Sequence, residues 1–302
     1  MLEVEPPVSG QGGPTLCPLH TLSSMRRSGP TAPPAARVNT GALLAWYGRV
    51  RRPLPWRATR DPYALLVSEV MLQQTQAARV VPYYEAFLAR FPDAQALAGA
   101  PPGDVLAAWS GLGYNRRALA LQAAARVVAA DGWPADLTEL PGVGPYTAAA
   151  VASFAWDAQI AAVDTNVRRV IARWDGLVRT PAAVAARAGA LLPAARAAAF
   201  NQAMMELGAT VCRPRRPACD ACPVRSGCAS AGRGHAVPGP RAPRRRERFE
   251  DTDRWARGRI VAALVAGEPP PQLDRSRRQR AEAGLLRDGL VLRAADGALR
   301  LP

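Results

Sequence analysis

Three features of this 302-residue chain predict an all-α protein. Apolar residues recur at helical spacing from Thr40 to about Gly232, Pro and Gly separate those runs at loop-sized intervals, and strand-type alternation is scarce. With 49% hydrophobic and 21% charged residues, the chain can bury a core of ordinary size. The spacing predicts helices over 41–50, 63–76, 81–90, 104–109, 116–130, 146–155, 166–174, 181–191 and 201–207. Residues 1–38, rich in Pro, Gly and Ser without a sustained apolar period, are expected to be a disordered tail. Residues 233–250 hold Pro238, Pro240, Pro243 and the run Arg244-Arg245-Arg246, the composition of an extended basic linker. Beyond it, helices over 254–266 and 275–287 and a hairpin of 290–293 with 298–301, turned at Asp296-Gly297, suggest a small winged-helix-like module over 251–302. A helical appendage packed on the main domain is the alternative.

Charge narrows the partner. There are 39 basic against 24 acidic residues, a formal net charge of +15, and such an excess points to a polyanion, nucleic acid first. Every basic residue is Arg and none is Lys. No run of about 18 apolar residues lacks charge, which argues against a membrane span. The start, with Glu3 and Glu5, does not read as a secretory signal, so a cytoplasmic protein is expected. Of five cysteines, four lie between Cys212 and Cys228, too few and too clustered for a disulfide framework.

Cys212, Cys219, Cys222 and Cys228 have the spacing C-x6-C-x2-C-x5-C, so four thiolates can close around one centre. Structural zinc usually takes paired C-x2-C knuckles, of which only one is present, whereas iron-sulfur cubanes accept uneven spacings. Arg213, Arg215, Arg216 and Arg225 add positive charge suited to phosphates. Upstream, Leu140-Pro141-Gly142-Val143-Gly144-Pro145 lies between two helical runs, and the N–H groups of Gly142, Val143 and Gly144 at a helix start can grip a DNA phosphate. Asp164, in Val163-Asp164-Thr165-Asn166-Val167-Arg168-Arg169, sits where an N-cap belongs. Glu69, Leu72, Gln73 and Gln76 fall at i, i+3, i+4 and i+7, one carboxylate among amides on a single helical stripe.

Together, the LPGVG turn, the VDTNVRRV segment and the cysteine loop resemble the helix-hairpin-helix DNA glycosylase superfamily over about residues 40–230. The cysteine spacing matches the 4Fe-4S loop of its endonuclease III and MutY members. The resemblance implies a six-helix barrel with the hairpin over 62–162 and an iron-sulfur cluster domain formed by 39–61 and 163–232. It implies that Asp164 stabilises cationic character at the sugar C1′, with Asn166 steadying that carboxylate. Bifunctional relatives carry a lysine just after the hairpin, where this chain has Tyr146, and without any lysine a side-chain imine cannot form. A monofunctional glycosylase follows.

The stretch Ser68-Glu69-Val70-Met71-Leu72-Gln73-Gln74-Thr75-Gln76 is similar to the adenine glycosylase (MutY) motif, as are Leu54-Pro55-Trp56-Arg57 and Phe200-Asn201-Gln202-Ala203-Met204-Met205. By that resemblance Glu69 protonates adenine at N7 and then handles the attacking water. Arg52, Trp56, Arg57, Leu72 and Gln202 would line the pocket for the everted base, with Tyr146 beside the sugar. Gln73 and Gln74 would fill the vacated duplex position. Gly111-Leu112-Gly113-Tyr114-Asn115 stands where family members read Gly-Leu-Gly-Tyr-Tyr, so Tyr114 and Asn115 would face the opposing base with a smaller wedge. The chain is similar to short members without a Nudix-like C-terminal domain. It is expected to act as a monomer on double-stranded DNA with adenine mispaired to 8-oxoguanine or guanine. A thymine or uracil mismatch glycosylase, and a non-catalytic iron-sulfur DNA-binding protein, are the alternatives.

Overall fold

A computed structural model describes residues 38–231 and 248–302. Most of the expected tail and linker lies outside the described residues. Helices dominate, in the order α1 (Thr40–Val50), α2 (Pro62–Leu72), α3 (Ala77–Arg90), α4 (Ala94–Gly99), α5 (Pro102–Trp109), α6 (Arg116–Asp131), α7 (Pro145–Trp156), α8 (Thr165–Asp175), α9 (Pro181–Gly189) and α10 (Ala197–Thr210). Side chains that accept N–H groups of the first turn start many of them: Asn39 for α1, Asp61 for α2, Asp93 for α4, Asp164 for α8 and Thr180 for α9. Pro stands at the first helical position of α2, α5, α7 and α9, where its fixed φ suits the turn and no N–H is missed.

Two hydrophobic clusters organise this body. One gathers Val67, Val70 and Met71 of α2 with Phe87, Leu97, Leu106, Trp109 and Leu121 of α3 to α6. The other joins Leu43, Trp46 and Tyr47 of α1 to Val170, Ile171 and Trp174 of α8 and to Phe200, Met204 and Leu207 of α10, so the chain returns to its own beginning after α7. Helix α7 packs against both α2 and α10 and bridges the two halves. It is apolar nearly all round, as a helix covered on both sides must be.

After the linker come α11 (Asp253–Ala266) and α12 (Arg275–Arg287), then β1 (Leu292–Arg293) paired antiparallel with β2 (Leu299–Arg300). The expected helix-helix-hairpin order is present, with strands cut to two residues each. Ala256, Ile260, Val261, Ala281, Leu285, Leu290 and Val291 belong to the same hydrophobic cluster as Phe87 and Trp109. The Gly103 N–H also donates to the Pro302 carbonyl at 3.0 Å. The segment is therefore both helix-and-hairpin in order and packed on the main body.

Helix boundaries differ from those the sequence spacing predicts. Helix α4 was not expected, being only six residues long. Helix α10 begins at Ala197 rather than 201, its Ala198 N–H received by the Asp157 carboxylate at 2.8 Å. Helix α2 stops at Leu72, not at 76, so Gln73 and Gln76 do not share a helical stripe with Glu69. The cause is tertiary: Arg117 Nη1 donates to the carbonyls of Val70 (2.6 Å), Met71 (3.3 Å) and Gln73 (2.7 Å), satisfying acceptors that another turn would have used.

Candidate active site

Helix α2 is buried along almost its whole length, and in that apolar setting Glu69 is only 5% exposed. Burial pushes its carboxyl up to about 7, and the negative charge of Asp164 pushes the same way. A hydrogen bond from the Tyr146 hydroxyl opposes them in part. The two carboxyl groups that the sequence singled out thus lie within electrostatic reach of each other, with Tyr146 against Glu69. The Tyr146 hydroxyl, 3.9 Å from Met205 Sδ, is itself held well above its ordinary range by burial and by both acids. A carboxyl near neutrality can hold a proton and later accept one.

Asp164 is the N-cap of α8, and its role as a cap does not exhaust it. Oδ1 accepts the Val167 N–H at 2.7 Å and Oδ2 accepts Asn166 Nδ2 at 2.7 Å. Both oxygens accept, the pattern of a carboxylate fixed in orientation. Asn166 is held in turn by Arg169 Nη2 at 2.7 Å, and Arg169 also donates to the carbonyls of Gly208 (2.7 Å) and Cys212 (2.9 Å). Gly208 must be glycine for this, because a Cβ there would lie 2.6 Å from Asn166 Cβ.

The approach to Asp164 is set by Asn201, which sequence reasoning placed in a motif without giving it a task. Buried in α10, it accepts the Ala162 N–H at 3.1 Å and donates to Ser153 Oγ and the Ile160 carbonyl, both at 2.9 Å. Loop 157–164 is thereby pinned between α7 and α10. The signal available was an amide inside an apolar helix.

The expected base-pocket residues divide. Arg52 and Arg57 both converge on Glu206, which is fully buried: Arg52 Nε reaches Oε1 at 2.8 Å, Arg52 Nη2 reaches Oε2 at 2.8 Å, and Arg57 Nη2 reaches Oε2 at 2.7 Å. Burial alone would raise the Glu206 carboxyl, but the two guanidinium groups more than offset it and hold it below the usual range. Gln202, one turn earlier on α10, accepts the Tyr47 hydroxyl at 2.6 Å, and Arg57 lies over the Tyr47 ring. Glu206 and Tyr47 were missed, although a glutamate in the apolar helix Ala197–Thr210 was the sign. Trp56 is a core residue, edge-on to Tyr84 with ring centroids 5.4 Å apart, and Leu72 is half-buried against the same cluster.

Gln73, Gln74, Tyr114 and Asn115 gather elsewhere, along a cleft of about 1200 Å³ that also includes Gly142 and α11 but not Glu69 or Asp164. Gln74 is exposed and the Tyr114 hydroxyl donates to its Oε1. In the hairpin, Gly142 has φ +77° and a Cβ there would lie 2.7 Å from Ala120 Cβ, so the turn needs glycine. Gly144 is exposed as the N-cap of α7, and a Cβ there would meet nothing. Val143 is buried beneath them, its N–H donating to the Leu140 carbonyl.

The four expected cysteines are half-buried and lie close enough to influence one another. Burial raises the Cys222 thiol to about 11, and the charges of Cys212, Cys228 and Cys219 act in the same direction. Among the described residues, no three or more His, Cys, Asp or Glu side chains form a group that could hold a metal ion. The buried Arg173, another residue not foreseen, clamps the loop by donating to the carbonyls of Arg213 (2.8 Å) and Pro214 (3.0 Å), with Cys212 Sγ at 3.4 Å.

Comparison with known proteins bears on the family and the fold. Residues 67–193 match the HhH-GPD superfamily of base excision DNA repair proteins. An adenine DNA glycosylase of Mycolicibacterium smegmatis is 44% identical over 279 residues, 86% of this chain and 94% of that protein. Among solved structures, a thermostable thymine-DNA glycosylase superposes with a TM-score of 0.60 at 32% identity, covering 64% of this chain and 95% of that one. Endonuclease III in a trapped covalent intermediate with DNA gives 0.57 at 22%, covering 64% and 94%, and shares the fold. The chain belongs to the adenine DNA glycosylase family, within the all-α helix-hairpin-helix superfamily of base excision repair proteins.

Proposed function

We propose that this protein is a monofunctional adenine DNA glycosylase that hydrolyses the N-glycosidic bond of adenine mispaired with 8-oxoguanine or guanine. It would act as a monomer, in the cytoplasm at the nucleoid, on a base turned out of the duplex. The observation that carries this reading is the Glu69–Tyr146–Asp164 constellation: one buried carboxyl held up to about 7 beside a second fixed as a hydrogen-bond acceptor. Glu69 donates its proton to adenine N7 as the bond from C1′ to N9 breaks, so the base leaves as a neutral purine. Asp164, locked by Val167 and Asn166, faces the positive charge that develops at C1′. Glu69, now a carboxylate, takes a proton from the water that attacks C1′, which restores the enzyme. Tyr146 stands where a lyase would need an amine, and the chain contains no lysine.

The Arg52–Glu206–Arg57 lock and the Tyr47–Gln202 pair would shape the wall that receives the base. The exposed turn of Gly142 and Gly144 would seat a phosphate on the start of α7. Cys212, Cys219, Cys222 and Cys228 are the donor chemistry of a 4Fe-4S cluster, which would have to draw together thiols that the described structure does not gather into a metal-holding group, and would then tie the loop and offer a redox-capable centre. Burial raises the Cys222 and Cys228 thiols, so a bound metal would have to displace their protons to use them as thiolates.

The likeness to a thymine-DNA glycosylase gives the competing reading, and at 32% over 64% of the chain it is the weaker one. Single-turnover base release from duplexes with A opposite 8-oxoguanine, A opposite G, T opposite G and U opposite G separates the two. Adenine release from the first two is expected; thymine or uracil release without adenine overturns the assignment.

A further inference from the structure

The cleft of about 1200 Å³ has two walls of different origin: Gln73, Gln74, Tyr114 and Gly142 come from barrel loops, and Phe249 and Arg254 come from the C-terminal segment. On the barrel wall, Gln74 (φ +58°) and Tyr114 (φ +52°) both occupy left-handed backbone, which residues with side chains hold only where packing fixes them. They are joined through one hydroxyl. Tyr114 donates to Gln74 Oε1 and accepts from Arg254 Nη1, a contact spanning 140 residues of sequence. The Arg254 guanidinium lies 4.9 Å from the Tyr114 ring centroid and 5.0 Å from that of Phe249, and Arg117 approaches the Tyr114 ring at 5.3 Å. Tyr114 is nevertheless 38% exposed toward the cleft. The next arginine of α11, Arg257, is engaged by Asp288 of its own segment, so these two neighbouring cations have separate tasks.

We propose that Arg254 is a positioning residue for reading the mispair: from the C-terminal segment it holds Tyr114 and Gln74 in the posture in which they enter the duplex. It thereby sets how sharply the base opposite adenine is discriminated. The inference rests on the glycosylase reading above, and on physical grounds it differs from simple phosphate attraction. A cation used only for phosphate gains nothing from being stacked on two aromatic rings and bonded to a tyrosine hydroxyl, whereas a brace requires both.

The test compares wild type with Arg254→Ala, Arg254→Lys and, as a control, Arg259→Ala, an exposed cation on the same helix. Two quantities are read: single-turnover adenine release from duplexes with 8-oxoguanine, G or C opposite, and the fluorescence of 2-aminopurine placed next to the mispair, which reports unstacking without base removal. For Arg254→Ala the preference among opposite bases should fall roughly tenfold, and the unstacking signal should drop on the preferred duplex. Arg254→Lys keeps the charge and should keep duplex affinity, yet show the same loss of preference. Arg259→Ala should weaken all duplexes alike, with the ratio unchanged. If Arg254→Ala lowers affinity uniformly and preserves both ratio and unstacking, Arg254 is a phosphate contact and the proposal is wrong. If wild type releases no adenine from any duplex, the glycosylase reading fails, and the 2-aminopurine signal still decides the role of Arg254.

Discussion

Glu69 and Glu206 are both buried glutamates, on two helices that pack against the same α7, yet their surroundings drive them in opposite directions. Around Glu69 there is apolar packing, a tyrosine hydroxyl and a second carboxyl, and its proton is retained up to about 7. Around Glu206 there are two guanidinium groups, and its carboxyl is held low although it too is buried. Burial supplies the desolvation in each case, and the neighbouring charge decides the outcome. A cation beside Glu69 would abolish the proton that the proposed reaction needs. Without cations, Glu206 would be a second raised acid beside the pocket.

The sharpest way to break the contrast is to remove the acid function itself. Glu69→Gln and Asp164→Asn should each lower single-turnover base release by roughly 10²–10⁴-fold while duplex binding, measured by anisotropy, changes little. Substantial turnover by either variant removes that residue from the mechanism. At the other site, Arg57→Ala exposes the desolvation of Glu206 and should cost about 3 kcal/mol in urea unfolding. Arg52→Ala, whose side chain is 43% exposed, should cost no more than about 1 kcal/mol.

Glu69→Gln also carries an opposite prediction for stability. An acid with a folded value near 7 and an unfolded value near 4.5 binds more protons when folded, so its contribution to stability falls as pH rises through that window. The glutamine variant should therefore be more stable than wild type at pH 8, by on the order of 2 kcal/mol, with the gain vanishing below about pH 4.5. Equal melting at both pH values would refute the raised value. The same group should also shape the rate profile: base release should be level below about pH 7 and decline by about tenfold for each unit above it.

The sequence was most informative where a residue conflicted with its surroundings. Glu69 in an apolar run, Asp164 at a helix start and four unevenly spaced cysteines were visible because each breaks a local pattern. The structure brings Glu69, Asp164, Tyr146 and Asn166 near one another. What could not be read were answers supplied by distant residues. Arg117 ends α2 by capturing its last carbonyls, Asn201 pins the loop before Asp164, and Arg254 reaches Tyr114 from another part of the chain. A surface arginine and a bracing one are the same letter, and in a chain whose cations are all arginine, composition gives no further help. The end of α2 was misjudged for the same reason, since Gln73-Gln74-Thr75 contains no residue that breaks a helix by itself.

Helix α8 carries at one end the carboxylate proposed to meet the sugar, and on its flank Arg169, which touches both Asn166 and the Cys212 carbonyl. The cysteine segment and the reacting centre are thus only three hydrogen bonds apart. Injury restricted to that segment, by oxidants or chelators, should first be felt as lesions left unexcised, while the helical body still melts at its usual temperature.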